Sequence, residues 1–512
     1  MIPQRKSAAA LYLLFLLSAL LFVLFMISSM IRPYGYFCDE LYFIACSKRL
    51  AFGYIDQPPL SILLLSAVQN LLGHTLFAVR ILPALSISST VFVTGLLARR
   101  LGAGMGGMLL SGLAVMAMPV FLLFGSFYSM NAYEPLIWTT ITYFVTRMIM
   151  EQDPRYWLHA GILTGVGLEM KHTMVLYAFA LLAGFLCSGQ RRLLFSRWLL
   201  WGALACFLIV LPNLVWQIVN HFPSLELYKN SFSSKNIGKS YGQVYIEQVI
   251  FVNPFTWLLW TSGLVSLFFS RGRPFRPMLV AYFILLIMMM AGHSSRPDRI
   301  AAIYPFLMAS GAVAMEQYLR PASRRAAQIS TGLLILAGGI MAAPVSCPLF
   351  SPAATKQYIS RLGLHFDLEA GKMGEPLPQW LADRIGWREL TAEVARVYRS
   401  LPEKERQNCV IISTNYGEAG ALELYGPEFG LPAVYATHNS FHSWGPPSDT
   451  VKTYIAVCID EDDARKRFTS LEQVAEFHCP DCTRPQRVIP LFVLRGPTFS
   501  ISREWANFKV YQ

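Results

Sequence analysis

The sequence predicts a polytopic α-helical membrane protein with about eleven transmembrane helices, interfacial helices after the first span, and a C-terminal soluble α/β domain. Three observations carry that reading. The 512 residues are 54% hydrophobic and only 14% charged, with mean hydropathy +0.42, far more apolar than a soluble chain of this length. Only eleven acidic residues stand among the first 345 positions. Arginines punctuate the apolar runs at the spacing that alternating crossings require. The net charge of +12 does not point to nucleic acid, because the basic residues fall largely in short turns between spans.

Residues 8–31 form the first apolar run, behind Arg5 and Lys6. The run is too long for a secretory h-region and no small-x-small cleavage site follows, so it reads as an uncleaved anchor with its N-terminus in the cytoplasm. Further spans are expected at 81–98, 105–125, 135–150, 156–170, 173–187, 198–219, 250–270, 277–292, 300–318 and 327–345. Every turn this assigns to the cytoplasm carries arginine, among them Arg99-Arg100, Arg155, Arg191-Arg192, Arg271 and Arg324-Arg325. The runs at 156–170 and 173–187 are short and nearly continuous. Merging them would put the later arginine-rich turns outside, so they are kept separate. Residues 33–80 then lie outside. Within them 60–72 is too short to cross, and Ser66, Gln69 and Asn70 share one helical face. A helix lying in the interface plane is expected there.

From about residue 346 charged residues become frequent and no run could span, giving a transmembrane domain over 1–345 and a periplasmic α/β domain over 346–512. Residues 409–414 read as a buried strand, 417–425 as a helix opened by Gly417, and 453–459 as a second strand. Of the nine cysteines, Cys187 and Cys206 lie in apolar runs and read as packing residues. Cys479-Pro480-Asp481-Cys482 lacks a second CxxC or a histidine motif, so zinc is weakly supported. A local disulfide stays open if that region is outside the cytoplasm.

Carboxylates are expensive near hydrocarbon, so acids at a membrane edge are functional candidates. Asp39 and Glu40 stand side by side after the first run. If 39–51 is a short helix, Asp39, Phe43 and Cys46 share a face and Glu40 points elsewhere. One carboxylate could act as a base while the other orients or pairs with Lys48 or Arg49. The bland alternative is Asp39 as a helix N-cap with Glu40 in the first turn. Asp56-Gln57-Pro58-Pro59-Leu60 follows, where the prolines fix an extended approach and a helix can start at Pro59 or Leu60; a simple helix entry is its bland reading. Glu134, Lys171-His172, Arg296, Asp298 and Arg299 fall in loops assigned to the same outer side. Each alone could be an interfacial anchor, but together they form a charged face. Glu169 is expected to pair with a nearby cation. Cations there could hold a lipid phosphate, and carboxylates could deprotonate an acceptor hydroxyl. Group transfer from a lipid phosphate is the chemistry that results.

Asp39-Glu40 after the first span, the Asp56–Leu60 element, Glu134, Lys171, and Arg299 with Tyr304-Pro305 resemble the polyprenyl-phosphate-sugar-dependent glycosyltransferases. That family includes the protein O-mannosyltransferases and the lipid A aminoarabinose transferases, which share the C-type glycosyltransferase fold. The resemblance covers most of 1–345. Asn415-Tyr416-Gly417-Glu418-Ala419-Gly420-Ala421, Tyr425-Gly426 and Trp444-Gly445-Pro446 look like the C-terminal domain of bacterial members. The resemblance implies an inverting transfer of a monosaccharide from a polyprenyl-phosphate donor to an acceptor hydroxyl, at the periplasmic side of the inner membrane. The acceptor would be an envelope glycan, lipid A or a protein. It implies Asp39 as catalytic base beside Glu40, with Lys171, Arg299, Arg296 and Gln57 toward the donor phosphate and Asp56, Glu134 and Tyr304 positioning substrate. Relatives often carry lysine where this chain has Gln57, which donates a hydrogen bond without a charge. No cofactor is required by the sequence. Some relatives bind a divalent cation in this region; Asp56 could contribute, His293 is disfavoured, and no full ligand set is legible. The partners implied are the lipid-linked donor, membrane lipids and the acceptor, with no nucleic acid. The rival class is a secondary transporter or lipid-linked-sugar flippase, which would favour midplane charges and a repeat between halves; the sequence has no such halves.

Overall fold

The structure, a computed structural model, describes residues 4–235, 237–269, 271–293, 296–364 and 374–511. It forms two compact units. The first comprises Met1–Ile31, Val79–Val215 and Ile237–Leu349; the second comprises Arg32–Ala78, Trp216–Asn236 and Phe350–Gln512.

The first unit is helical. Each of the expected apolar runs is occupied by a helix, but their lengths differ. Among the described residues five helices are long and apolar enough to cross a membrane, at Ala8–Ser28, Leu76–Arg100, Arg197–Val219, Arg273–Ala291 and Pro321–Ser346. Two bent pairs raise the number to seven if each is one span. Met105–Met116 and Pro119–Gly125 meet at 65°, and Tyr241–Phe251 and Pro254–Ser266 at 92°. The expected single run at 250–270 is therefore the second arm of a broken element. Proline starts both second arms, and a proline cannot donate to the preceding turn. At the sharper break Asn253 adopts a positive φ of 76°. Its buried amide makes good the lost backbone bonds. Nδ2 donates to Ala117 O at 3.1 Å and Ile335 O at 3.0 Å, and Oδ1 accepts from Phe255 N at 3.1 Å. Backbone freed at membrane depth needs such internal partners.

Small residues and one acid bring these helices together. A Cβ on Gly311 would collide with Leu259 O, and one on Gly263 with Leu307 O, so Trp257–Ser266 and Tyr304–Tyr318 pack backbone to backbone. Glu316 accepts from Gly104 N and from Gly107 N at 2.7 Å. It thus supplies from another helix the anionic cap that Met105–Met116 lacks in its own sequence.

The second unit is built on a five-stranded sheet: β1 Cys409–Ser413, β2 Val434–Ala436, β3 Thr453–Val457, β4 Phe468–His478 and β5 Val488–Pro497. Their order is β2-β1-β3-β5-β4. β1 pairs in parallel with β2 and β3, while β5 runs antiparallel to β3 and β4. Val410, Tyr454, Ala456, Phe492 and Leu494 form one apolar layer of this core. Of the strands, β1 and β3 match the expected segments. β4 leaves a weak trace in the sequence because it is an edge strand with exposed Glu472 and a register shift at Gln473 and Ala475, whereas β5 is an apolar run, buried over residues 491–494, that the expected strands omit. The helix expected over 417–425 runs Tyr416–Phe429, with the Asn415 side chain capping Gly417 N at 2.8 Å. Cys479 and Cys482 are joined in a disulfide.

Candidate functional site

In the second unit the two adjacent acids take different local roles. The helix runs Cys38–Ser47 rather than 39–51. Glu40 is fully buried, and its Oε2 accepts from Phe37 N at 2.8 Å. Glu40 therefore caps this helix, correcting the alternative that assigned the cap to Asp39. Neither Lys48 nor Arg49 serves the pair: Arg49 lies 2.8 Å and Lys48 3.5 Å from Glu423. Asp39, half-buried in the first turn, is left to its own partners. Tyr416 donates its hydroxyl proton to Asp39 Oδ1 at 2.8 Å.

That contact depends on how closely two helices approach. A Cβ on Gly420 would lie 2.8 Å from the Leu41 carbonyl carbon, so only glycine lets Tyr416–Phe429 sit this close to Cys38–Ser47. The Tyr42 ring lies 5.1 Å from that of Tyr416. The Tyr42 hydroxyl is 2.7 Å from Asp56 Oδ1 and 2.7 Å from Ser440 Oγ. A phenol has one proton, so it goes to the carboxylate and Ser440 donates to Tyr42. Ser440 Oγ accepts in turn from Ile55 N at 3.3 Å. Burial, followed by the Asp56 charge, raises the Tyr42 pKa well above its ordinary value, so it remains a donor. Gln57 sits next to this chain, fully buried. Its Oε1 accepts weakly from Ser61 at 3.4 Å, and its Nε2 has no partner among the described residues.

The first unit gathers the other expected residues. Lys171 Nζ lies 2.5 Å from Glu134 Oε2, and Thr173 donates to Glu134 Oε1 at 2.6 Å. The side chains of Lys171 and Glu134 are only 12% and 8% exposed, so this is a buried pair. Arg296 pairs with Asp298 at 3.0 Å. Burial alone would raise the Asp298 carboxyl. Arg296, Lys171 and Arg299 outweigh it and hold the group below the ordinary aspartate value. Arg299 is exposed, and its side chain makes no hydrogen bond or ion pair among the described residues. Three cations against two carboxylates leave this cluster a net charge of +1. His172 Nε2 is 3.4 Å from Asn213 Oδ1, and burial lowers its pKa.

Tyr304 is fully buried, edge-on to Trp260 and Tyr282, with its hydroxyl 3.4 Å from Gln248 Oε1. Gln248 Nε2 donates to Pro297 O at 2.9 Å. Tyr304 and Gln248 thus fix the segment that carries Asp298 and Arg299. The expectation that Glu169 pairs with a cation is not met: its buried Oε1 has no partner among the described residues, and the adjacent Lys171 is already taken by Glu134.

Sequence reading assigned no role to Tyr42, Tyr416, Ser440, Thr173 or Gln248. The signal nearest to hand was the Asn415–Ala421 motif, which contains Tyr416. Among the described residues no three His, Cys, Asp or Glu side chains form a metal-binding group.

Residues 56–216 match the family model described as dolichyl-phosphate-mannose-protein mannosyltransferase. No curated protein sequence matches the chain significantly. Among solved structures, ArnT from Cupriavidus metallidurans bound to undecaprenyl phosphate aligns with TM-score 0.61 at 15% identity, over 93% of this chain and 97% of that one. Its apo state aligns with TM-score 0.60 at 15% identity, over 95% and 98%. The arabinofuranosyltransferase AftD from Mycobacteria aligns with TM-score 0.52 at 14% identity, over 98% of this chain but 40% of that one. At these identities the likeness is one of fold. The apolar helices and that fold make the chain a multi-pass membrane protein. Residues 56–216 are thus similar to the protein mannosyltransferase family, and the chain as a whole has the fold of ArnT.

Proposed function

We propose that this protein is an inverting glycosyltransferase that moves a monosaccharide from a polyprenyl-phosphate donor to an acceptor hydroxyl. The observation that carries the reading is Asp39: a half-buried carboxylate in the first turn of Cys38–Ser47, oriented by the Tyr416 hydroxyl at 2.8 Å. In this mechanism Asp39 takes the proton of the acceptor hydroxyl as its oxygen attacks the anomeric carbon. The bond to the phosphate oxygen breaks on the opposite face, and polyprenyl phosphate leaves with the bonding electrons. Inversion follows from that single displacement. The buried Glu40 positions Asp39 by capping its helix.

We assign the donor phosphate to Lys171, Arg296 and Arg299, in a cluster whose net charge is positive, and to Gln57 Nε2, which has no partner among the described residues. Arginine suits a phosphate because its planar fork donates two parallel hydrogen bonds. Asp56, Glu134 and Tyr304 position substrate through the networks they anchor. A divalent cation is not required by these groups. The solved ArnT structure holds undecaprenyl phosphate, which supports a polyprenyl-phosphate donor here. We place the chain in the bacterial inner membrane with eleven spans, the N-terminus in the cytoplasm and the domain from 346 onward in the periplasm. The acceptor is an envelope glycan, lipid A or a protein.

The test uses purified wild type and Asp39→Asn with a panel of undecaprenyl-phosphate monosaccharides and envelope extract, following release of undecaprenyl phosphate. Release by the wild type alone supports the reading. Equal release by both removes Asp39 as base. No release from any donor, with sugar-lipid moved across proteoliposomes instead, establishes the flippase alternative.

A further inference from the structure

The second unit contains a cavity of about 380 Å³ that none of the residues assigned above explains. It is lined by Arg49, Glu423, Tyr435, Phe441 and Trp444, together with residues 431–434. Arg49 Nη1 lies 2.8 and 3.0 Å from the two Glu423 oxygens, and its guanidinium lies 4.2 Å from the centre of the Trp444 ring. Phe441 meets Trp444 edge-on at 4.7 Å. The Tyr435 hydroxyl has no hydrogen-bond partner among the described residues.

The chemistry of this lining selects its ligand. Arg49 is the one cation in the lining and Glu423 holds it through both oxygens; Lys48, outside the lining, lies 3.5 Å from the same carboxylate, so no lining cation is left uncommitted. The fixed polar edges of Arg49 and Glu423 and the free Tyr435 hydroxyl make a poor seat for a hydrocarbon tail. A neutral ligand with adjacent hydroxyls and an apolar face fits both walls. Vicinal hydroxyls bridge a guanidinium–carboxylate pair, and ring C–H groups lie against aromatic side chains. A few convergent polar groups within aromatic walls at this volume are typical of small-ligand sites.

We propose that this cavity is a saccharide-binding subsite that takes a pyranose unit of the acceptor glycan. The proposal rests on the glycosyltransferase reading for the word acceptor, though not for the binding itself. Asp39 lies in the first turn of Cys38–Ser47 and Arg49 one residue past its C-cap Lys48, which at 1.5 Å per residue separates them by roughly 15 Å. A sugar held here is therefore remote from the hydroxyl that reacts, and the subsite selects extended acceptors.

The experiment is saturation-transfer-difference NMR on the full-length protein in detergent. The probes are methyl glycosides of glucose, mannose, galactose and N-acetylglucosamine at millimolar concentration. Ring-proton transfer from at least one probe is expected, reduced at least about fivefold in Trp444→Ala or Tyr435→Phe and unchanged in Asp39→Asn. Tyr435→Phe removes only a hydroxyl with no internal partner, so its fold is kept; an unchanged melting temperature verifies this. Absence of transfer from every probe, or transfer that survives both variants, overturns the proposal. Sugar binding without release of undecaprenyl phosphate in the turnover assay would sink the transferase reading and leave the subsite. Turnover without sugar binding would do the reverse.

Discussion

The Tyr416 hydroxyl donates to Asp39 Oδ1 at 2.8 Å, although 377 residues separate the two in sequence. A carboxylate held by a fixed donor keeps one orientation, and a general base depends on orientation before anything else. Hydrogen bonds to charged groups contribute about 1.5–3 kcal/mol. Tyr416→Phe should therefore lower kcat by about tenfold or more while changing donor KM little, since the contact serves the base and not donor binding. Steady-state kinetics on undecaprenyl-phosphate sugars checks this. A kcat equal to wild type would leave Tyr416 as packing.

The second network predicts a stability effect. Ile55 N–H, Ser440, Tyr42 and Asp56 form a directed chain of donors and acceptors. Tyr42→Phe would leave Ser440 and Asp56 without their shared partner at a buried position, a loss of about 1–3 kcal/mol. Ser440→Ala should cost a similar amount. Because both changes break one chain, the double variant should lose clearly less than the sum. Thermal unfolding of the four proteins in detergent measures the coupling, and strict additivity would contradict it.

Glu134 and Lys171 make a separable case. Both are buried, and removing one partner of a buried ion pair costs about 3–5 kcal/mol because the other charge is stranded. Glu134→Gln should lower the melting temperature markedly. Glu134→Leu with Lys171→Met should recover much of that loss, since no charge is left unpaired. Turnover should stay absent in the double variant if Lys171 contributes to the donor phosphate. A stable double variant with wild-type turnover would remove Lys171 from the site.

Asp298 gives the pH dependence a sign. Its carboxyl is held below the ordinary value by Arg296, Lys171 and Arg299. A depressed carboxyl adds stability above the unfolded-state value of about 3.9, and that stability is lost as pH falls through the folded-state value. Between about pH 5 and pH 3 the wild type should lose melting temperature more steeply than Asp298→Asn, which has no such proton to bind. Parallel curves would mean that Asp298 is not electrostatically tied to these cations.

The helical membrane class, the positions of the apolar elements and the family resemblance are all legible in the chain. Hydropathy and arginine placement are local properties, and each expected run is helical. The sequence also marked most of the charged candidates, because an acid beside hydrocarbon stands out wherever the chain folds. It located β1, β3 and the intervening helix, whose apolar runs are bounded by charged loops. The partner of each candidate is set by packing and has no local signature. Glu40, not Asp39, caps Cys38–Ser47, because the Phe37 amide points at the longer side chain. Lys171 goes to Glu134 and leaves Glu169 without a cation among the described residues. Arg49 goes to Glu423. Gly420 has no marked local role in the sequence, yet it sets the helix approach that brings Tyr416 to Asp39. These are long-range pairings. Side-chain burial and backbone contact across hundreds of residues fix them, and neither leaves a periodic trace in the chain.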